Sequence, residues 1–107
     1  DGKVVAATQT GKLLVLDPKT WEVLADHNIA PGGAVVRNAL LNYQGRYFLL
    51  QSNRISELDA ANMFKPEPMA KPVMNITGGG AAVNGKLYYI GRATRVCTWE
   101  IPAATKR

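Results

Sequence analysis

The stretch Gly11-Lys12-Leu13-Leu14-Val15-Leu16-Asp17-Pro18-Lys19-Thr20-Trp21-Glu22-Val23-Leu24 decides how this chain reads. An apolar run, Leu13 to Leu16, meets a Pro-containing turn, and a second run begins at Val23. Short apolar runs parted by turn residues predict antiparallel strands. The pattern returns twice. Arg54-Ile55-Ser56-Glu57-Leu58 ends at Asp59, and Val96-Cys97-Thr98-Trp99 ends at Glu100. Asp17, Asp59 and Glu100 stand 42 and 41 residues apart. A preceding strand repeats as well: Lys3-Val4-Val5-Ala6-Ala7, Arg46-Tyr47-Phe48-Leu49-Leu50 and Lys86-Leu87-Tyr88-Tyr89-Ile90. Each follows a glycine, at Gly2, Gly45 and Gly85.

A period of about 40–45 residues built from short strands is that of β-propeller blades. Leucine-rich repeats are shorter, and helical repeats would show a 3.6-residue periodicity that is absent. The expected fold is all-β: a β-propeller segment of about two and a half four-stranded blades. One partial propeller covers 1–107, as a blade remnant (1–28), a full blade (33–77) and a partial blade (78–102). With blade strands lettered a to d from the inside outward, the remnant supplies b (3–8), c (12–17) and d (22–28). The full blade supplies a (34–42), b (46–51), c (54–59) and d (72–77). The last supplies a (80–83), b (86–91) and c (95–101). Segment 60–71, with Pro66 and Pro68, reads as an expanded c–d loop that opens with one helical turn. The strands are apolar on both faces, as sheets sandwiched between neighbours require, where a half-exposed sheet would alternate. Gly33 to Val36 and Gly79 to Val83 carry the small residues that crowded inner strands need.

The run Gly11 to Thr20 followed by Glu22-Val23-Leu24 resembles the quinoprotein-like (PQQ-like) and YVTN-type β-propeller repeats, and so does Asn84-Gly85-Lys86-Leu87-Tyr88-Tyr89-Ile90-Gly91. Such repeats commonly join strands c and d by an Asp-x-x-Thr-Gly turn, and here Trp21 stands in place of the Gly. The resemblance implies a fold and leaves function open. The tryptophan docking motif between blades is absent, so quinone binding is not expected, and no cofactor is.

Two and a half blades cannot close a ring, and bare blade faces would expose a large apolar patch, which soluble monomers avoid. The expected partners are therefore the rest of a longer propeller or copies of the chain itself. The chain opens at Asp1-Gly2 without a Met, as if inside a structural unit, which fits a processed or excised segment. No window approaches the roughly 18 uninterrupted apolar residues of a spanning helix, and no basic-then-apolar leader opens it. An extracytoplasmic location, periplasmic or secreted, is expected. The lone Cys97 excludes an internal disulfide.

Few residues read as chemistry. His27 is the sole histidine, with no second His or Cys near it in sequence, so no metal site is expected. Cys97 sits in an apolar strand, where a buried inert thiol is usual. Gly78-Gly79-Gly80 lacks the Gly-Lys-Ser/Thr ending of a phosphate loop and precedes a strand. Asp17, Asp59 and Glu100 read as turn caps on successive blades, not as an acid–base pair. Trp21 and Trp99 read as inter-blade packing, with Trp21 also a candidate sugar-stacking platform. Asn75-Ile76-Thr77 fits the glycosylation triplet, which also arises by chance. No catalytic residue is assigned.

The arginines are more informative. In a propeller the b–c and d–a connections share one face, usually the binding face. Arg54, Arg92 and Arg95 fall at b–c turns, and Arg37 begins an inner strand. No acidic residue occupies those turns. Arginine grips carboxylate, sulfate or phosphate through paired hydrogen bonds. Arg37, Arg54, Arg92 and Arg95 are the candidate ligand-binding residues, set against a solvated basic rim. Nucleic acid is disfavoured, because the net charge of +5 is modest and no exposed aromatics interleave with the basic residues. The leading expectation is a ligand- or partner-binding propeller segment, with an anionic glycan or protein as partner. The alternatives are part of an extracytoplasmic propeller enzyme acting on an acidic polysaccharide, or a short self-assembling lectin.

Overall fold

The computed structural model describes residues 2–103. Asp1 and 104–107, the first and last positions of the expected 1–107 segment, lie outside the described residues. Ten strands follow one another: β1 (Val4–Ala7), β2 (Lys12–Leu16), β3 (Val23–Asn28), β4 (Val35–Tyr43), β5 (Arg46–Gln51), β6 (Arg54–Asp59), β7 (Lys65–Ala70), β8 (Gly78–Val83), β9 (Lys86–Ile90) and β10 (Val96–Glu100). They form three antiparallel sheets, ordered β1-β2-β3, β4-β5-β6-β7 and β8-β9-β10. Among the described residues, helical structure is limited to three short 3₁₀ turns. No described helix is long and apolar enough to cross a membrane.

Hairpin chemistry sets the register. β4 passes to β5 through Gln44 (φ 50°) and Gly45 (φ 79°), and β8 passes to β9 through Asn84 (φ 51°) and Gly85 (φ 79°). Two left-handed residues in a two-residue loop make the turn whose twist matches a hairpin. At the β2–β3 and β6–β7 turns, an aspartate that ends the strand caps the chain. Asp17 Oδ1 accepts from the N–H groups of Lys19 and Thr20, and Asp59 Oδ1 accepts from Ala61 N–H.

The middle sheet is buried on both faces. Leu49 and Leu58 join Leu13, Val15 and Ile29 in one core, and Phe64 closes that core at the β6–β7 turn. Phe48, Leu50 and Ile55 join Leu87, Tyr89 and Ile76 in the other. Alternation along β5 thus feeds two cores from one strand. Complete burial of each such side chain contributes about 1.5–3 kcal/mol. Phe48 also meets Trp99 edge to face, with centroids 6.1 Å apart.

The first and third sheets each leave one face bare. On the third, Val83, Tyr88 and Val96 are exposed, with Val96 at 68%. Counted from Gly85, Tyr88 and Ile90 hold the places that Phe48 and Leu50 hold after Gly45. On the first, the outward residues include Val4, Leu14, Leu16 and Leu24. Apolar strands at both ends of the stack are therefore buried on one face only.

Two expectations need correction. The fourth strand of the middle sheet is β7, Lys65–Ala70, not 72–77, which is irregular. Pro66 and Pro68 disguised it. They lie two residues apart, opposite Leu58 and Ser56, on an edge strand. Their missing N–H groups fall on the side away from β6, where proline is tolerated. Trp21 does not pack between sheets: it is 65% exposed and left-handed, φ 61°. A glycine would occupy that conformation without strain.

Two predictions follow from these positions. Trp21→Gly should raise stability by about 0.5–1 kcal/mol, because relief of the left-handed strain exceeds the entropy lost at glycine. Urea unfolding midpoints measure it, and a lower midpoint contradicts it. The second concerns Tyr89. Burial pushes its phenol above the ordinary value and neighbouring Cys97 adds to the rise, against a backbone hydrogen bond at Val73. A raised folded value means that the stabilisation is complete below the unfolded pKa of about 10 and is lost as pH rises through the folded value. Denaturant midpoints should therefore fall on the alkaline side, and less so in Tyr89→Phe.

Candidate functional site

The two ends of the sheet stack differ. One carries the tight hairpin loops and the aspartate-capped turns. The other carries the β1–β2, β5–β6 and β9–β10 connections together with segments 29–34 and 71–77. Backbone hydrogen bonds tie that second end together. Ile29 N–H donates to Gly11 O, Ser52 N–H to Ala34 O, Ile76 N–H to Ser52 O and Thr77 N–H to Ile90 O. Gln51 is the buried polar anchor: its Nε2 donates to Ile29 O at 2.6 Å and to Gly33 O at 3.0 Å. Gly32 packs tightly beside it: a Cβ there would collide with the Gln51 amide and push it off its two carbonyls.

The four candidate arginines fall at or near this end. Arg54 opens β6 directly after the β5–β6 turn. Arg92 and Arg95 flank the β9–β10 connection and are exposed. Arg37 lies in the irregular part of β4, where register is interrupted between Val35 and Leu40, and is also exposed. None of the four side chains forms a hydrogen bond or ion pair among the described residues.

Arg46 shows what a satisfied guanidinium looks like in the same molecule. Its Nε and Nη2 donate to the two Glu57 oxygens at 2.9 and 2.8 Å, and Nη1 donates to Pro102 O at 2.7 Å. Its guanidinium carbon lies 5.2 Å from the Phe48 ring centroid. The hydrogen bond to Glu57 holds the Arg46 pKa above its ordinary value, against the opposing effect of burial. Arg46 is therefore committed to the packing of the middle sheet, and Arg54, in the same sheet, is not.

Arg54 stands between two clefts. A shallow one of about 470 Å³ is bordered by Pro31, Asn53, Pro68 and Lys71. A smaller one, about 170 Å³, lies where β3 of the first sheet faces β6 and β7, and His27, Gln51, Arg54, Ser56 and Pro66 border it. The pairing alternation puts Arg54 and Ser56 on the sheet face that meets the first sheet, and His27 on the face of β3 that meets the middle one. His27 Nε2–H donates to Met63 O at 2.8 Å, which fixes the ring as a wall. Ser56 is 1% exposed, and its hydroxyl finds no partner among the described residues. No carboxylate borders the smaller cleft.

Sequence reasoning singled out Arg54 and missed Ser56 and Gln51. Their alternation with Ile55 and Leu50 is the signal that was available: a polar residue facing a core in an otherwise apolar strand needs a partner. His27, read as having no second His or Cys near it, hydrogen-bonds a backbone carbonyl, Met63 O, across the sheet interface. Cys97 is half-buried, and its thiol lies beside the Tyr89 phenol and makes a weak contact with Arg95 O at 3.9 Å. In the Asn75-Ile76-Thr77 triplet Asn75 is exposed and Ile76 is buried. Among the described residues no group of three His, Cys, Asp or Glu side chains is placed to hold a metal ion.

No protein-family pattern matches the sequence, and no curated protein matches it. Among solved structures the chain is similar to the crystal structure of the computationally designed Ika4 protein, with a TM-score of 0.63 and 14% identity. The match covers 95% of this chain and 62% of the designed one, so this chain spans less than two thirds of that protein's length. At that identity the likeness is one of fold.

Proposed function

We propose that the chain is a β-propeller segment whose loop-rich end binds an anionic ligand or acidic partner. The observation that carries this reading is the unpaired state of Arg54, Arg92 and Arg95 at one end of the stack. A protein that can satisfy Arg46 with a paired carboxylate leaves these three without one. A guanidinium with free donors is matched by carboxylate, sulfate or phosphate. An acidic glycan supplies such groups in a row, as does an acidic protein surface.

The propeller reading rests on the repeated register and on the bare faces. A middle sheet sandwiched on both sides, flanked by two sheets that each lack one neighbour, is what a run of successive blades would look like. The missing neighbours would be further blades of a longer propeller or copies of this chain. Tyr88, Ile90 and Val96 would then be covered as Phe48, Leu50 and Ile55 are.

Two experiments test these proposals. In sedimentation, the 107-residue chain alone should self-associate with rising concentration, since its terminal faces lack partners. Tyr88→Lys with Val96→Lys should oppose that association, and a stable monomer at high concentration would count against the propeller reading. For ligand binding, Arg92→Glu with Arg95→Glu should weaken binding of an acidic polysaccharide and flatten its salt dependence. Lys19→Glu, at the opposite end, is the control and should change little. Equal losses from both variants would mean non-specific attraction to a basic chain.

A further inference from the structure

We infer that the small cleft between β3 and the β6–β7 pair is a subsite for one small carboxylate, held by the Arg54 guanidinium and the Ser56 hydroxyl. The inference deepens the anion-binding reading and rests on it, but it names a different depth of the molecule. Arg92 and Arg95 are exposed turn residues, whereas Ser56 is buried between two sheets.

Three observations carry it. The first is the orphaned Ser56 hydroxyl, a buried donor without a partner among the described residues. Buried polar groups are nearly always satisfied, and each exception asks for an unseen partner. The second is the character of the wall. Arg54 offers unengaged N–H donors, His27 Nε2 is already committed to Met63, and no carboxylate borders the cleft. An unengaged guanidinium with no carboxylate in the wall suits an oxyanion. The third is size: a volume of about 170 Å³ admits a compact organic acid.

Carboxylate is favoured over phosphate by charge. One guanidinium and one hydroxyl match the two oxygens and single charge of a carboxylate. A phosphate dianion would call for a second cation. Lys65 borders the cleft, but the β6–β7 ladder sets it opposite Asp59, whose face of the sheet is not that of Ser56. Gln51 cannot add its amide donors, because both are engaged by Ile29 O and Gly33 O. The carboxylate belongs either to a free small acid or to a uronate residue within a glycan.

The test is a heteronuclear NMR titration of the full chain with glucuronate, glucose, inorganic phosphate and an oligogalacturonate. Glucuronate should produce saturable shifts at the amides of Gln51, Arg54 and Ser56, and glucose none. Arg54→Gln and Ser56→Ala should each weaken glucuronate binding by about tenfold or more, through loss of a charge-assisted hydrogen bond. Ser56→Ala should not lower the thermal midpoint of the free protein, because the hydroxyl it removes has no protein partner. A lowered midpoint with unchanged binding would make Ser56 a structural residue and overturn the proposal. Glucose acting like glucuronate, or phosphate binding more tightly than glucuronate, would also overturn it. If only the oligogalacturonate binds and both variants lose it, the subsite stands and the source is a glycan. If both variants retain it, the subsite falls. A polysaccharide that binds with salt dependence while glucuronate shifts nothing and both variants keep the polymer would leave the basic end standing without this subsite.

Discussion

Everything in this chain leans on a middle sheet that has no water-facing side. Along β5, Phe48 and Leu50 enter one core while Leu49 enters the other, and all three are fully buried. A sheet with one solvated face can exist alone against a single layer. A sheet apolar on both faces cannot, since either bare face would expose several large side chains to water. The flanking sheets are thus a condition of the middle one, and their own outer faces carry the same requirement outward. Val4, Leu14 and Leu16 on one side and Tyr88, Ile90 and Val96 on the other repeat the demand that Phe48 and Leu50 make within the chain.

That constraint decides where polar chemistry can sit. Inside the stack there is room for polar side chains only where backbone or side-chain partners meet them. Gln51 satisfies two carbonyls of the 29–33 segment and so anchors that segment against the middle sheet. Tyr43 does the same at the opposite end, its hydroxyl accepting from Gly85 N–H at 2.7 Å across the second and third sheets. Arg46 and Glu57 form a half-buried paired charge that the Phe48 ring and Pro102 O complete. Each of these groups is used up by the structure. Ser56 and Arg54, which border the same inter-sheet cleft, have no such partner among the described residues.

Much of the architecture was legible because turns announce themselves. Gly45 and Gly85 each stand where a left-handed backbone is needed, and Asp17 and Asp59 each cap the turn that follows a strand. The repeat spacing follows from those fixed points, and nine of the ten strands could be drawn from it. β7 escaped because Pro66 and Pro68 argue against a strand unless the reader knows that it lies at an edge, which only the assembled sheet reveals. Trp21 escaped for a related reason. Its bulk suggested packing, but a left-handed position on a turn turns the side chain outward. The arginine end was legible as a set of connections. The cleft was not, since it joins His27 to Arg54 and Ser56 across two sheets, and residue spacing carries no trace of that contact.

The position of the cleft follows from how the sheets meet. The central strands β2 and β5 face each other through Leu13, Val15 and Leu49, all wholly buried, so no gap survives there. The outer strands have less to fill the space between them. β3 presents His27 and Ala25 inward, and β7 presents Pro66 and Pro68, which are short and rigid. Apolar contact therefore thins toward the outside, and the space it leaves is bordered by the polar residues at the start of β6. A serine at position 56 is poor packing if the aim is a closed core, since valine or isoleucine would fill the same face. Its presence beside an unpaired Arg54 makes sense once the space is treated as something to be occupied by a group that both can grip.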